Sequence, residues 1–176
     1  MFFATPTKPT LLAALAAATP SSRPSELAGA TLKATSPPAL AELGLVYIID
    51  DDAISSMITE LIVKKNLLAR DARCYANGQW AFDELLLTLR EGGALPDLIM
   101  LDLDMPLMDG WEFLDALANL PSAQTTRVFV QTSSIHPDDQ SKALGYKQVA
   151  GFFSKPLKEA GIAHMRSLLP HARSAA

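Results

Sequence analysis

The chain of 176 residues carries 15 Lys and Arg against 19 Asp and Glu, a net charge of −4 with a pI near 5.3. That length allows one ordinary domain with its own buried core plus a tail, and argues against a multidomain enzyme. The acidic balance and the lack of any basic stripe argue against nucleic acid as a partner, and no apolar run approaches the roughly 18 residues needed to span a bilayer.

Residues 1 to 44 are rich in Ala, Pro, Ser and Thr, with no acidic residue before Glu26. Leu11 to Ala18, preceded by Lys8, resembles the apolar core of a signal peptide. The cytosolic character of the chemistry from Leu45 onward favours a disordered leader or an early start codon instead, with Pro37-Pro38 near the boundary. The expected organisation is therefore a leader at 1–44, one domain at 45–170 and a short tail at 171–176. The single cysteine, Cys74, cannot form an internal disulfide. It reads as a small core hydrophobe in a strand, and a reducing, cytoplasmic setting fits.

Beyond Leu45 the hydrophobic period switches back and forth between two and 3.6. Strands are predicted near 45–49, 71–75, 97–102, 127–131 and 149–153, and helices near 53–67, 78–90, 110–119, 137–145 and 157–168. Five βα units imply an α/β fold, a five-stranded parallel sheet with helices on both faces. Only one helix fits after Pro156, so no output domain is expected. There is no internal repeat, and no Gly-rich turn follows the first strand, which argues against a dinucleotide-binding domain.

The strand ends carry the chemistry. Leu45-Val46-Tyr47-Ile48-Ile49 stops in Asp50-Asp51-Asp52, and Leu98-Ile99-Met100-Leu101 stops in Asp102. Val128-Phe129-Val130-Gln131 stops in Thr132, and Gly151-Phe152-Phe153-Ser154 stops in Lys155-Pro156. Open α/β sheets place their sites at these carboxyl ends. Carboxylates from Asp50, Asp51 and Asp102 gathered at one edge repel unless a cation neutralises them. Mg2+ suits that role, because it takes hard oxygen ligands and is commonly held by one or two carboxylates plus phosphate oxygens. Phosphorylating a carboxylate also requires neutralising three equatorial oxygens in flight. The metal, the Thr132 hydroxyl and the compact Lys155 ammonium can each take one. Each residue alone has an ordinary explanation, and for Asp52 a helix N-cap is the better one. His136 reads as an exposed loop residue without a metal, and Trp111, Phe113 and Leu114 as a buried helix face.

With Asp50-Asp51, the block from Asp102 to Gly110, Thr132-Ser133 and Lys155-Pro156, one element per βα unit, residues 45 to about 168 resemble the receiver domain of two-component response regulators. Met108 to Leu114 and Gly151 to Leu157 look like its stand-alone, single-domain members. The resemblance implies a flavodoxin-like (βα)5 fold. It implies that Asp102 accepts phosphate from a histidine kinase or phosphotransfer protein, and that Mg2+ is held by Asp51, Asp102 and the carbonyl of Asp104, with Asp50 acting through water. It further implies a switch at Thr132 and Phe152, a cis Lys155-Pro156 bond, and no enzymatic activity beyond Mg-dependent self-phosphorylation and self-dephosphorylation. Signalling is expected by contact with an unknown protein target through the fourth helix, fifth strand and fifth helix. Two positions depart from the common pattern: Asp104 adds a charge beside the phosphoryl group, and Phe152 lacks the hydroxyl of the frequent Tyr. A rival resemblance is the first motif of haloacid-dehalogenase-type phosphatases in Leu101-Asp102-Leu103-Asp104. There, however, the paired acids follow the lysine, whereas Asp50-Asp51 precede it, and Met105-Pro106 replaces the expected residues. A pseudo-receiver without phosphate chemistry is disfavoured by the intact acid, hydroxyl and lysine set.

Overall fold

A computed structural model describes residues 43–134 and 136–169. Strands and helices alternate as β1 (Leu43–Ile49), α1 (Ala53–Lys65), β2 (Ala69–Tyr75), α2 (Gly78–Arg90), β3 (Leu98–Leu101), α3 (Gly110–Ala118), β4 (Arg127–Thr132), α4 (Pro137–Leu144), β5 (Val149–Ser154) and α5 (Glu159–Leu168). One turn of 3-10 helix, Pro121–Ala123, precedes β4. All neighbouring strands pair in parallel, in the order β2-β1-β3-β4-β5. This is the expected flavodoxin-like arrangement. The winding reverses between β1 and β3, which opens a crevice at their carboxyl ends, where Asp50 and Asp102 stand.

Alternation along the strands feeds two cores, one on each face of the sheet. Tyr47, Ile49, Ile99, Leu101, Val128 and Val130 pack with Leu85, Phe113, Leu117 and Ala143, so α2, α3 and α4 cover this face. Val46, Ile48, Leu98, Met100 and Phe129 pack with Val63, Ile162 and Met165, so α1 and α5 cover the other. β3 and most of β1 and β4 are buried, as parallel strands covered on both faces must be.

β2 is an edge strand, and most of its residues are half-buried or exposed. This corrects the reading of Cys74 as a core residue: it is exposed, because no further strand flanks β2 on that side. Helix α1 ends at Lys65, two residues earlier than its apolar pattern suggests. The chain turns there through Leu67 at a positive φ of 51°, and β2 begins at Ala69. β1 begins two residues before its predicted start, at Leu43. The leader up to residue 42 and the tail lie outside the described residues. Among the described residues, no helix is long and apolar enough to cross a membrane.

Candidate functional site

Backbone pairing sets the site before any side chain does. Asp50 N–H donates to the Tyr75 carbonyl at 3.0 Å and Asp102 N–H to the Ile49 carbonyl at 2.9 Å, so both acids hang from ordered strand ends. Lys155 N–H donates to the Thr132 carbonyl at 2.9 Å, which brings the end of β5 against the end of β4. The Lys155-Pro156 peptide is cis, as expected.

Carboxylate oxygens of Asp50, Asp51 and Asp102 lie within 4.8 Å of one another. Asp50 and Asp102 are buried and Asp51 is exposed, so the cluster opens to solvent on one side. The Lys155 ammonium bridges the two buried acids, 2.5 Å from Asp102 Oδ2 and 2.8 Å from Asp50 Oδ2. Burial by itself would lower the pKa of this lysine. The hydrogen bonds and charges of Asp102 and Asp50 together outweigh it and hold the ammonium above the ordinary lysine value. Three carboxylates against one ammonium leave two negative charges uncompensated. That excess, on hard oxygen donors, fits a divalent cation of the Mg2+ class.

Each acid is oriented by donors. Asp102 Oδ1 accepts from Leu103 N–H at 2.7 Å, leaving Oδ2 to Lys155. Asp50 Oδ1 accepts from Asp52 N–H at 3.0 Å, and its Oδ2 from the Ser55 hydroxyl at 2.6 Å. Asp52 is the N-cap of α1, accepting from Ile54 N–H at 2.9 Å, as read from sequence. The loop after Asp102 closes tightly at Gly110, where a Cβ would lie 2.4 Å from the Asp102 carbonyl oxygen. Only glycine admits that approach. Helix α3 then starts from a capping box in which Asp109 and Glu112 each accept from the other's backbone N–H.

The other expected residues fall around this cluster. Thr132 is fully buried at the end of β4, its hydroxyl accepting from Ser134 N–H at 3.2 Å. Phe152 pairs in register with Val130 and packs, half-buried, on the core covered by α3 and α4. The Asp104 side chain is exposed beside the site. His136 is exposed, and Phe113 and Leu114 are buried as read. Trp111 is half-buried, with the Lys142 ammonium 3.8 Å from its ring centroid. Sequence reasoning missed Ser55 and Gln131. Ser55 sits five residues after Asp50, where the first turn of α1 returns it to the acid; Gln131 bonds to Thr59 on α1. The only sequence signal for Gln131 was a polar residue inside an otherwise apolar strand.

The family described as "Response regulator receiver domain" matches residues 46–166. Among solved structures, a two component response regulator from Cytophaga hutchinsonii is similar at 25% identity and a TM-score of 0.67, covering 73% of this chain and 97% of its own. The bacteriophytochrome response regulator AtBRR is similar at 24% identity and a TM-score of 0.64, with 77% and 98% covered. The Mn2+-bound form of response regulator Rcp1 is similar at 21% identity and a TM-score of 0.60, with 76% and 99% covered. No curated protein sequence matches.

Proposed function

The chain belongs to the response regulator receiver family of two-component signalling, and on that premise we propose that it takes a phosphoryl group on Asp102 and signals by protein contact. The observation that carries this reading is the Lys155 ammonium held between Asp50 and Asp102 in a cluster of three carboxylates. A half-buried lysine so placed neutralises charge where a phosphoryl group arrives.

In the transfer, an Asp102 carboxylate oxygen forms the new bond to phosphorus while the donor's P–N or P–O bond breaks, and the leaving group keeps the electron pair. Lys155 then faces a phosphoryl oxygen, and the Thr132 hydroxyl, one strand away, rotates to donate to another. Leu103 N–H holds the acceptor carboxylate in place throughout. Asp50, Asp51, Asp102 and the Asp104 carbonyl are the proposed holders of Mg2+. When bound, that ion offsets the charge that accumulates on the phosphoryl oxygens. The Mn2+ form of Rcp1 supports a divalent cation in a protein of this fold.

The donor is a histidine kinase or phosphotransfer protein. The downstream partner contacts α4, β5 and α5, and the switch consists of Thr132 and Phe152, both directed to the core that α4 covers. The decisive experiment incubates wild type and Asp102→Asn with acetyl phosphate and Mg2+ and reads intact mass. Wild type should gain one phosphoryl group and the variant none; an equal adduct on Asp102→Asn overturns the reading.

A further inference from the structure

Gln131 and Thr132 are consecutive on β4, so their side chains leave the strand on opposite faces. Thr132 turns toward the core covered by α3 and α4. Gln131 turns the other way, and its amide donates to the Thr59 hydroxyl of α1 at 3.1 Å. Gln131 is 4% exposed and Thr59 is 1% exposed. A buried amide is unfavourable unless it is paired, and an aliphatic residue would fill this position without that demand. Unlike an apolar contact, the pair is directional, so it fixes α1 to one position of the β4 end.

A second attachment completes a circuit. Ser55 in the first turn of α1 donates to Asp50, Asp50 pairs with Lys155, and Lys155 N–H donates to the Thr132 carbonyl. Helix α1 is thus fastened to the acid cluster at its start and to the Thr132 strand end at its middle. Its outer face carries Ile54, Met57, Ile58 and Leu61, all exposed.

We propose that Gln131 is a positioning residue that hands the loading of Asp102 to helix α1, so that phosphorylation is read on the α1 face as well as on the α4–β5 face. The inference rests on the phosphoacceptor reading of Asp102. A phosphoryl group adds roughly −1.5 to −2 charge, which draws on Lys155 and Thr132. Both lie in the circuit, and a packed helix moves as a unit. A displacement at Thr59 therefore carries Leu61 with it.

Amide and methyl NMR on the full chain, with Mg2+ and beryllofluoride as the phosphoryl mimic, tests this. The Leu103 amide reports loading and the Leu61 methyls report α1. Leu61 lies nine residues beyond the N-cap, roughly 13 Å along the helix, past a Debye length of about 8 Å. In wild type both should shift. In Gln131→Met and Thr59→Val the Leu61 shift should fall at least threefold while the Leu103 shift persists, and Thr59→Ser, which keeps the acceptor, should restore it. If a single variant fails to fold, the double variant Gln131→Met/Thr59→Val leaves no orphaned polar group and takes its place. An undiminished Leu61 shift in the variants, or a silent Leu61 beside a responding Leu103 in wild type, overturns the inference alone. Silence at both positions overturns the phosphoacceptor reading as well.

Discussion

Lys155 carries two ion pairs with buried acids at once, and its side chain is only 13% exposed. Removing one partner of such a group leaves the remaining charges uncompensated, a larger loss than that of a surface pair. Lys155→Met should therefore lower stability by about 2 kcal/mol in EDTA, or several degrees of melting temperature. In millimolar Mg2+ the gap should narrow, because a bound cation replaces the missing charge through mass action. Thermal melts of both proteins in both buffers decide it, and a gap that does not depend on Mg2+ would mean that Lys155 and the metal do not share one cluster. Tyr146 offers a cleaner titration. Its phenol donates to Asp115 Oδ1 at 2.7 Å, and that bond, followed by burial, pushes its pKa up to about 12. Because the folded value lies above the unfolded one, the stabilisation is complete below pH 10 and disappears as pH rises from 10 to 12. Tyr146→Phe should be less stable than wild type by about 1 kcal/mol at pH 8, a figure already reduced for solvent screening. Urea melts at pH 8 and pH 11 should show the difference shrinking at the higher pH.

Among the helices, the end of α1 shows how an element stops without a sequence signal. Leu67 N–H donates to the Lys64 carbonyl and Leu68 N–H to the Val63 carbonyl, both at 3.0 Å. Leu67 occupies the left-handed position that glycine usually fills, and Leu68 packs into the same core as Val63. Leucine is strained there and its side chain is exposed, so little burial is lost on removing it. Leu67→Gly should raise stability by about 0.5 kcal/mol, the relief of positive φ less the greater freedom that glycine gives the unfolded chain. Chemical denaturation measures the difference, and a loss of more than about 1 kcal/mol would show that Leu67 is held by packing instead. The start of α3 is the opposite case: Asp109 and Glu112 lie at capping-box spacing just before an apolar run, and helix α3 begins at Gly110 as read. Helices α3 and α4 are joined by Lys142 over Trp111, and α3 also holds the segment after α4 through Asp115 and Tyr146.

For the whole molecule, ligand binding at the acid cluster becomes folding stability, since an ion that binds only the native state stabilises it. Mg2+ at about a hundred times its dissociation constant should add about 2.7 kcal/mol to wild type. Asp102→Asn, having lost a proposed ligand, should gain much less at the same concentration. Equal melting-temperature gains in the two proteins would place the ion elsewhere. The sequence alone determined that five βα units form a parallel sheet, that chemistry gathers at its carboxyl ends, and which acids, hydroxyl and lysine stand there. It could do so because burial on both faces makes each inner strand a continuous apolar run, and a polar residue ending such a run must emerge at the sheet edge. The tertiary structure decided the rest. Strand order made β2 an edge and left Cys74 exposed; spatial approach gave Lys155 both Asp50 and Asp102, returned Ser55 to Asp50, and set Gln131 against Thr59 across 72 residues of chain. Periodicity records which face a side chain takes, whereas the identity of its partner depends on which elements the fold lays side by side.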